Sequence, residues 1–144
     1  MTPIAGAEQL VAIFGYWPTF HDAEVVRFCL ARSADFADGP LVEADVHVFE
    51  ITDQVTPNGL LALRHHSLVT FRFTGVDSLQ VSEFNNQNAL WSLDIEDIRA
   101  RQLELLAYEV SFSPSFGMNA TFLCRTAEVL AVRKWDPDTR SPAA

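Results

Sequence analysis

Any chemistry in this chain has to come from a small set of side chains. His21, Asp22 and Glu24 lie within four residues of one another, inside the stretch FGYWPTFHDAE from Phe14 to Glu24. A His-Asp pair is the beginning of a metal phosphohydrolase site, but such a site needs further His and Asp ligands on helices, and the chain past residue 35 reads mainly as strand. The four histidines are His21, His47, His65 and His66. A zinc centre calls for three or four ligands in closed geometry. Adjacent His65 and His66 in a strand point to opposite faces and cannot share one ion. No metal centre is expected. Glu43 and Asp45 share one strand face about 7 Å apart, a spacing that admits paired-carboxylate chemistry in a groove, although carboxylates alternating along a strand usually form a solvated face. Neither Cys29 nor Cys124 has a neighbouring histidine or helix N-terminus to activate it, and both read as small buried hydrophobes. There is no Gly-x-Ser-x-Gly elbow and no Gly-rich phosphate loop. These residues point away from an enzyme, with a small hydrolase using His21 and Asp22 as the lesser alternative.

The elements that would position these groups follow from periodicity. Ala7, Leu10, Val11 and Phe14 recur at helical spacing, Pro3 suits a first turn, and Gly15 and Pro18 end the helix. Phe14 to Glu24 then reads as a corner, plugged by Trp17 and Phe20. From Ala23 the period changes to two. Val26, Phe28 and Leu30 are expected on one face of a first strand, and Asp35 to Pro40 in a turn. Val42, Ala44, Val46 and Val48 alternate with Glu43, Asp45 and His47, the pattern of a half-buried antiparallel strand. Thr56-Pro57-Asn58-Gly59 is a turn. Leu60 to Leu63 and Leu68 to Thr74 form one strand or two, broken at His65-His66. Leu79 to Phe84 is a short strand, and Asn85 to Asn88 a structured loop that could also carry recognition. Ala89, Trp91, Leu93 and Ile95 alternate with Leu90, Ser92, Asp94 and Glu96, and beyond Ile95 the choice between strand and helix stays open. Tyr108, Val110 and Phe112 share a face, Ser113 to Gly117 is expected to turn, and two further strands follow. The resulting expectation is an α+β domain over residues 1–136, one short N-terminal helix packed on a curved, mainly antiparallel sheet of seven to eight strands, with a frayed tail at 137–144.

Composition narrows the function classes. At 144 residues the chain is long enough to bury about 68–70% of its unfolded surface in one core. It has no leader-like start and no apolar run near the ~20 residues of a membrane span, which suggests the cytoplasm. Nineteen acids against ten bases give a net charge of −9, so no basic stripe is available for phosphate backbones and nucleic acid is not an expected partner. The acids come in two long stretches without Lys or Arg: Asp35 to Asp53 between Arg32 and Arg64, and Asp77 to Asp97 between Arg72 and Arg99. Such stretches fit a negative face that attracts a basic protein.

The wording of several segments resembles the immunity protein 50 family of bacterial polymorphic toxin systems. The likeness begins at Gly-Tyr-Trp-Pro-x-Phe-His-Asp-Ala-Glu-Val over residues 15–25. It continues at 46–53 (VHVFEITD), 68–73 (LVTFRF), 84–88 (FNNQN), 110–112 (VSF), 115–117 (SFG) and 122–125 (FLCR). The resemblance implies a cytoplasmic protein that binds and blocks a toxin domain, without catalytic residues or cofactor, and it fixes no interface. Combined with the charge, it makes a basic toxin domain the expected partner. The expected contacts are Glu43, Asp45 and His47 with Asp94 and Glu96, while the FHDAEV residues serve the fold and His21 or Asp22 bonds turn backbone. A homodimer stays open. The competing non-enzymatic reading is a small-molecule binder with a pocket lined by Trp17, Phe71, Phe73 and Trp91.

Overall fold

The computed structural model of the protein describes residues 4–32 and 38–143. Pro3 and the first half of the expected turn at 35–40 lie outside these. Helix α1 (Glu8–Phe14) ends on Gly15, whose φ of 83° is a left-handed conformation that costs glycine nothing, and the Gly15 N–H donates to the Val11 carbonyl at 2.8 Å. Only part of the expected stripe is covered: Leu10 and Phe14 are buried, whereas Val11 is 40% exposed. Burying those two side chains is worth about 1.5–3 kcal/mol each. A backbone bond from Val129 N–H to the Ala5 carbonyl and a Gln9 side-chain bond to the Val129 carbonyl dock the helix on the sheet.

Among the described residues nine strands form one open antiparallel sheet, slightly more than the seven or eight expected. They are β1 (Glu24–Ala31), β2 (Leu41–Val55), β3 (Leu61–Thr74), β4 (Asp77–Ser82), β5 (Ala89–Asp97), β6 (Tyr108–Phe116), β7 (Asn119–Cys124), β8 (Thr126–Asp136) and β9 (Ser141–Pro142). Their order across the sheet is β4-β7-β6-β5-β1-β2-β3-β8-β9. β3 and β7 are five places apart in that order, which in a flat sheet would separate them by about 24 Å. Yet the Phe73 ring on β3 lies 5.0 Å from that of Phe122 on β7, and Phe28 on β1 lies 5.7 Å from Phe112 on β6. The sheet therefore folds over itself into two facing layers, β4-β7-β6-β5 and β1-β2-β3-β8-β9. The hinge is narrow: β1 and β5 pair at the single rung Glu24↔Ala89 and run in opposite directions from it.

Bulges beside that hinge correct two expectations. On β1 the pairing skips Val26, so Val25 and Phe28 face inward while Val26 is 40% exposed. On β5 it skips Trp91, so Leu90 is buried and Trp91 is 64% exposed. A bulge adds one residue to a strand and reverses the side-chain alternation after it. Trp91 is thus no lining of an interior pocket, and Phe71 and Phe73 are fully buried, packed ring against ring with Trp17, Phe20, Phe112 and Phe122. A third bulge at His65, φ 60°, lets β3 continue as one strand. β5 ends at Asp97 and gives way to a short 3-10 helix at Arg99–Arg101 rather than a long helix. The expected turn at Ser113–Gly117 begins later, because β6 holds its pairing with β5 through Phe116. At the other end, residues 137–140 turn the chain back and Ser141–Pro142 pair with Trp135 and Asp136.

The β2–β3 hairpin outgrows its neighbours. β1 pairs β2 only up to His47, and β8 pairs β3 only from Ser67 onward. Beyond these points a two-stranded arm projects to the Thr56–Leu60 turn, with Ile51, Val55, Leu60, Leu61 and Leu63 at 44–67% exposure.

Candidate functional site

The FHDAE corner forms the hinge. Phe20 and Asp22 adopt positive φ (59° and 67°), which reverses the chain and buries Phe20 at 1% exposure against Trp17 and Phe71. Asp22 N–H donates to the Leu90 carbonyl and Leu90 N–H to the Ala23 carbonyl. Glu24 Oε1 accepts the Asn88 N–H at 2.9 Å. Asn88, 2% exposed, uses its whole amide: Nδ2 donates to the Val25 and Asn85 carbonyls, and Oδ1 accepts from the N–H of Asn85 and Met118. A buried amide so satisfied is structural. His21 Nδ1 donates to the Trp91 carbonyl at 3.1 Å, and its ring meets the Trp91 indole edge-on at 4.8 Å. Its Nε2 is 3.8 Å from Asp22 Oδ2, beyond hydrogen-bond length. Hence the His21 ring and the Asp22 N–H bond backbone across the hinge, and the two side chains do not hydrogen-bond each other.

The expected partner contacts are divided between the two layers. Glu43, Asp45 and His47 share the outer face of β2, since Val42, Ala44, Val46 and Val48 fill the interior. The carboxylates that lack cationic neighbours in sequence acquire them across strands. Arg72 grips Glu43 at 2.7 Å and Arg27 reaches Glu43 and Asp45 at 3.5 and 3.6 Å. Thr70 Oγ1 donates to Asp45 at 2.6 Å, leaving that residue 8% exposed. The hydrogen bond from Arg72 holds the Glu43 carboxyl below the usual range. Around these groups Arg27, Arg72 and Arg133 offset Glu43, Asp45 and Glu128, so the patch is close to neutral.

His47 belongs to an aromatic cluster. Its Nε2 is 2.9 Å from His66 Nδ1, it stacks on Trp135 at 4.7 Å, and Phe49 lies at 5.5 Å. Burial, and then the neighbouring His66, push its pKa down to about 4, and burial also lowers that of His66. His65 points the other way, onto Phe14. Among the described residues no group of three or more His, Cys, Asp or Glu side chains is placed to hold a metal. Cys124 is buried, which raises its thiol to about 12 and leaves no thiolate nucleophile.

Asp94 and Glu96 stand on the outer face of β5, because Leu93 and Ile95 point into the core. This face looks away from that of β2. Glu96 is directly opposite Glu109 of β6, and Arg101 reaches both at 3.7 and 3.4 Å. Asp94 accepts from Ser92 Oγ at 2.9 Å and faces Ser111. Sequence periodicity missed two members of this surface: Trp91, because adjacent Leu90 and Trp91 satisfy either alternation, and Glu109, because its partnership with Glu96 is a matter of register.

No described helix is long and apolar enough to cross a membrane. Comparison with curated proteins and with solved structures returns no match. The family model Immunity protein 50 matches residues 6–135, which takes in the hinge, both layers and both outer faces. The chain belongs to the immunity protein 50 family.

Proposed function

We propose that this protein is a non-catalytic inhibitor that binds a cognate toxin domain in the producing cell and blocks it. The family match over residues 6–135 carries the reading. The chemistry of the candidate site supports it: the His21 ring is committed to the hinge, Glu43 and Asp45 to arginine pairs, and Cys124 to the core. An excess of nine acidic charges favours a basic partner, since complementary potentials raise the encounter rate and exclude wrong partners. The contacts belong to outward strand residues, either Glu43, Asp45 and His47 on β2 or Asp94 and Glu96 on β5, since the two groups face opposite ways.

Co-expression tests the proposal. The C-terminal domain of the polypeptide encoded beside this chain is induced alone and together with it. Growth arrest by that domain, relieved by the chain at stoichiometric level, is the expected result. Arrest that persists although the chain is folded and abundant would refute inhibition.

A further inference from the structure

We infer that Trp91 is the anchor of a docking surface on the outer face of β5 and β6, made for a basic protein. The inference rests on the toxin-neutralising reading and names the face and the contact that serve it.

Three observations meet on this face. First, the strand breaks its own alternation to place an indole in solvent: the β5 pairing skips Trp91, leaving it 64% exposed while Leu90 before it is fully buried. Bulges are the usual device for re-aiming a side chain at a functional surface, and Trp is enriched among residues that dominate binding energy. Second, the indole is held. His21 packs edge-on against it at 4.8 Å and donates to its backbone carbonyl at 3.1 Å, so the hinge positions the ring before any partner arrives. A pre-positioned ring loses less freedom on binding than a mobile one. Phe116, 55% exposed and opposite Ala89, extends the apolar patch on the neighbouring strand. Third, the surroundings are negative. Asp94, Glu96 and Glu109 follow Trp91 along the same face, with Arg101 between the last two. Directly opposed like charges destabilise a sheet, and the Glu96↔Glu109 rung retains such a pair. Ser92, Ser111, Ser113 and Thr121 add short hydroxyls to the same face, which leave it open to contact.

This combination selects its partner. An exposed indole beside carboxylates receives an Arg or Lys side chain, which lies over the ring and reaches the acids beyond it. The Glu43 patch offers no such contrast, because cross-strand arginines offset its acids.

The test measures affinity for the C-terminal domain of the adjacent polypeptide, by calorimetry at low and at raised salt. Trp91→Ala is expected to weaken binding by about thirtyfold, the size of a hot-spot contact. Asp94→Lys with Glu96→Lys should weaken it at least tenfold at low salt, mainly through slower association, with the difference shrinking as salt rises. Glu128→Lys, on the other layer, should leave affinity unchanged. Thermal melts check that the variants are folded, and Trp91→Phe should retain most of the affinity. Wild-type binding that survives both Trp91→Ala and the double lysine variant would overturn this inference while leaving inhibition standing. A wild-type chain that neither binds nor protects would remove the functional reading itself, and this surface's partner with it.

Discussion

Acidification should destabilise the fold through the His47–His66 pair in a window where carboxylates are still ionised. With Nε2 of one ring 2.9 Å from Nδ1 of the other, one nitrogen donates and the other must keep its lone pair, so the two rings are not both charged as folded. Protonating both rings would set two N–H groups face to face. Glu24 of β1 is opposite His47 in register, Arg133 of β8 lies two strands away on the other side of the same rung, beyond Leu68 of β3, and Trp135 covers the stack. For His47 the folded pKa of about 4 lies below the ordinary 6.5 of the unfolded chain. The unfolded state therefore binds the proton first. The contribution is fully present above pH 6.5 and is lost as pH falls toward 4. Linkage between these two values gives about 2 kcal/mol at pH 5 relative to pH 7.5. The imidazole is only partly shielded, and screening reduces this to about 1 kcal/mol. Urea unfolding of the wild type and of His47→Gln at both pH values provides the assay. The wild type should lose about 1 kcal/mol more on acidification than the variant. Equal losses in the two proteins would refute the assignment of the pH dependence to this pair.

Three further outcomes follow from the packing. Asn88→Ala strands the Met118 N–H and the Val25 carbonyl in the interior and should cost about 3 kcal/mol in urea unfolding; a loss under 1 kcal/mol would mean that water replaces the amide. Phe73→Ala empties the contact between the layers, where its ring meets Phe71, Phe112 and Phe122, and should cost about 3–5 kcal/mol by the same measurement. In native-state hydrogen exchange, amides of the arm between residues 51 and 63 should exchange by local opening, well before those of Leu68 to Phe73, whose strand is paired on both sides. Protection of the arm equal to that of the central strands would show that it is held by more than its own hairpin.

The chain alone determined a good part of the molecule. Val42, Ala44, Val46 and Val48 alternate with polar residues without a break, so the face of β2 was legible before any partner strand was known. Gly15 ended the helix and Thr56 to Gly59 placed a turn, because local backbone preference governs both. The run GYWPTFHDAEV marked the family and its aromatic corner. Tertiary structure decided what periodicity has no means to encode. At Val26 and Trp91 an extra residue enters a strand, and with an apolar residue directly before each (Val25 and Leu90) the sequence pattern permits either face; pairing with β2 and with β6 selects one. The acidic stretches looked unopposed because charge read along the chain ignores neighbours across the sheet, where Arg27 and Arg72 meet Glu43. The grouping of the surface was decided last of all. Glu43 and Asp94 both read as outward strand carboxylates, but a sheet folded about one rung, Glu24↔Ala89, turns them to opposite sides of the protein. That fold is fixed by burying Phe28, Phe73, Phe112 and Phe122 against one another, a long-range packing contest that no local sequence window contains.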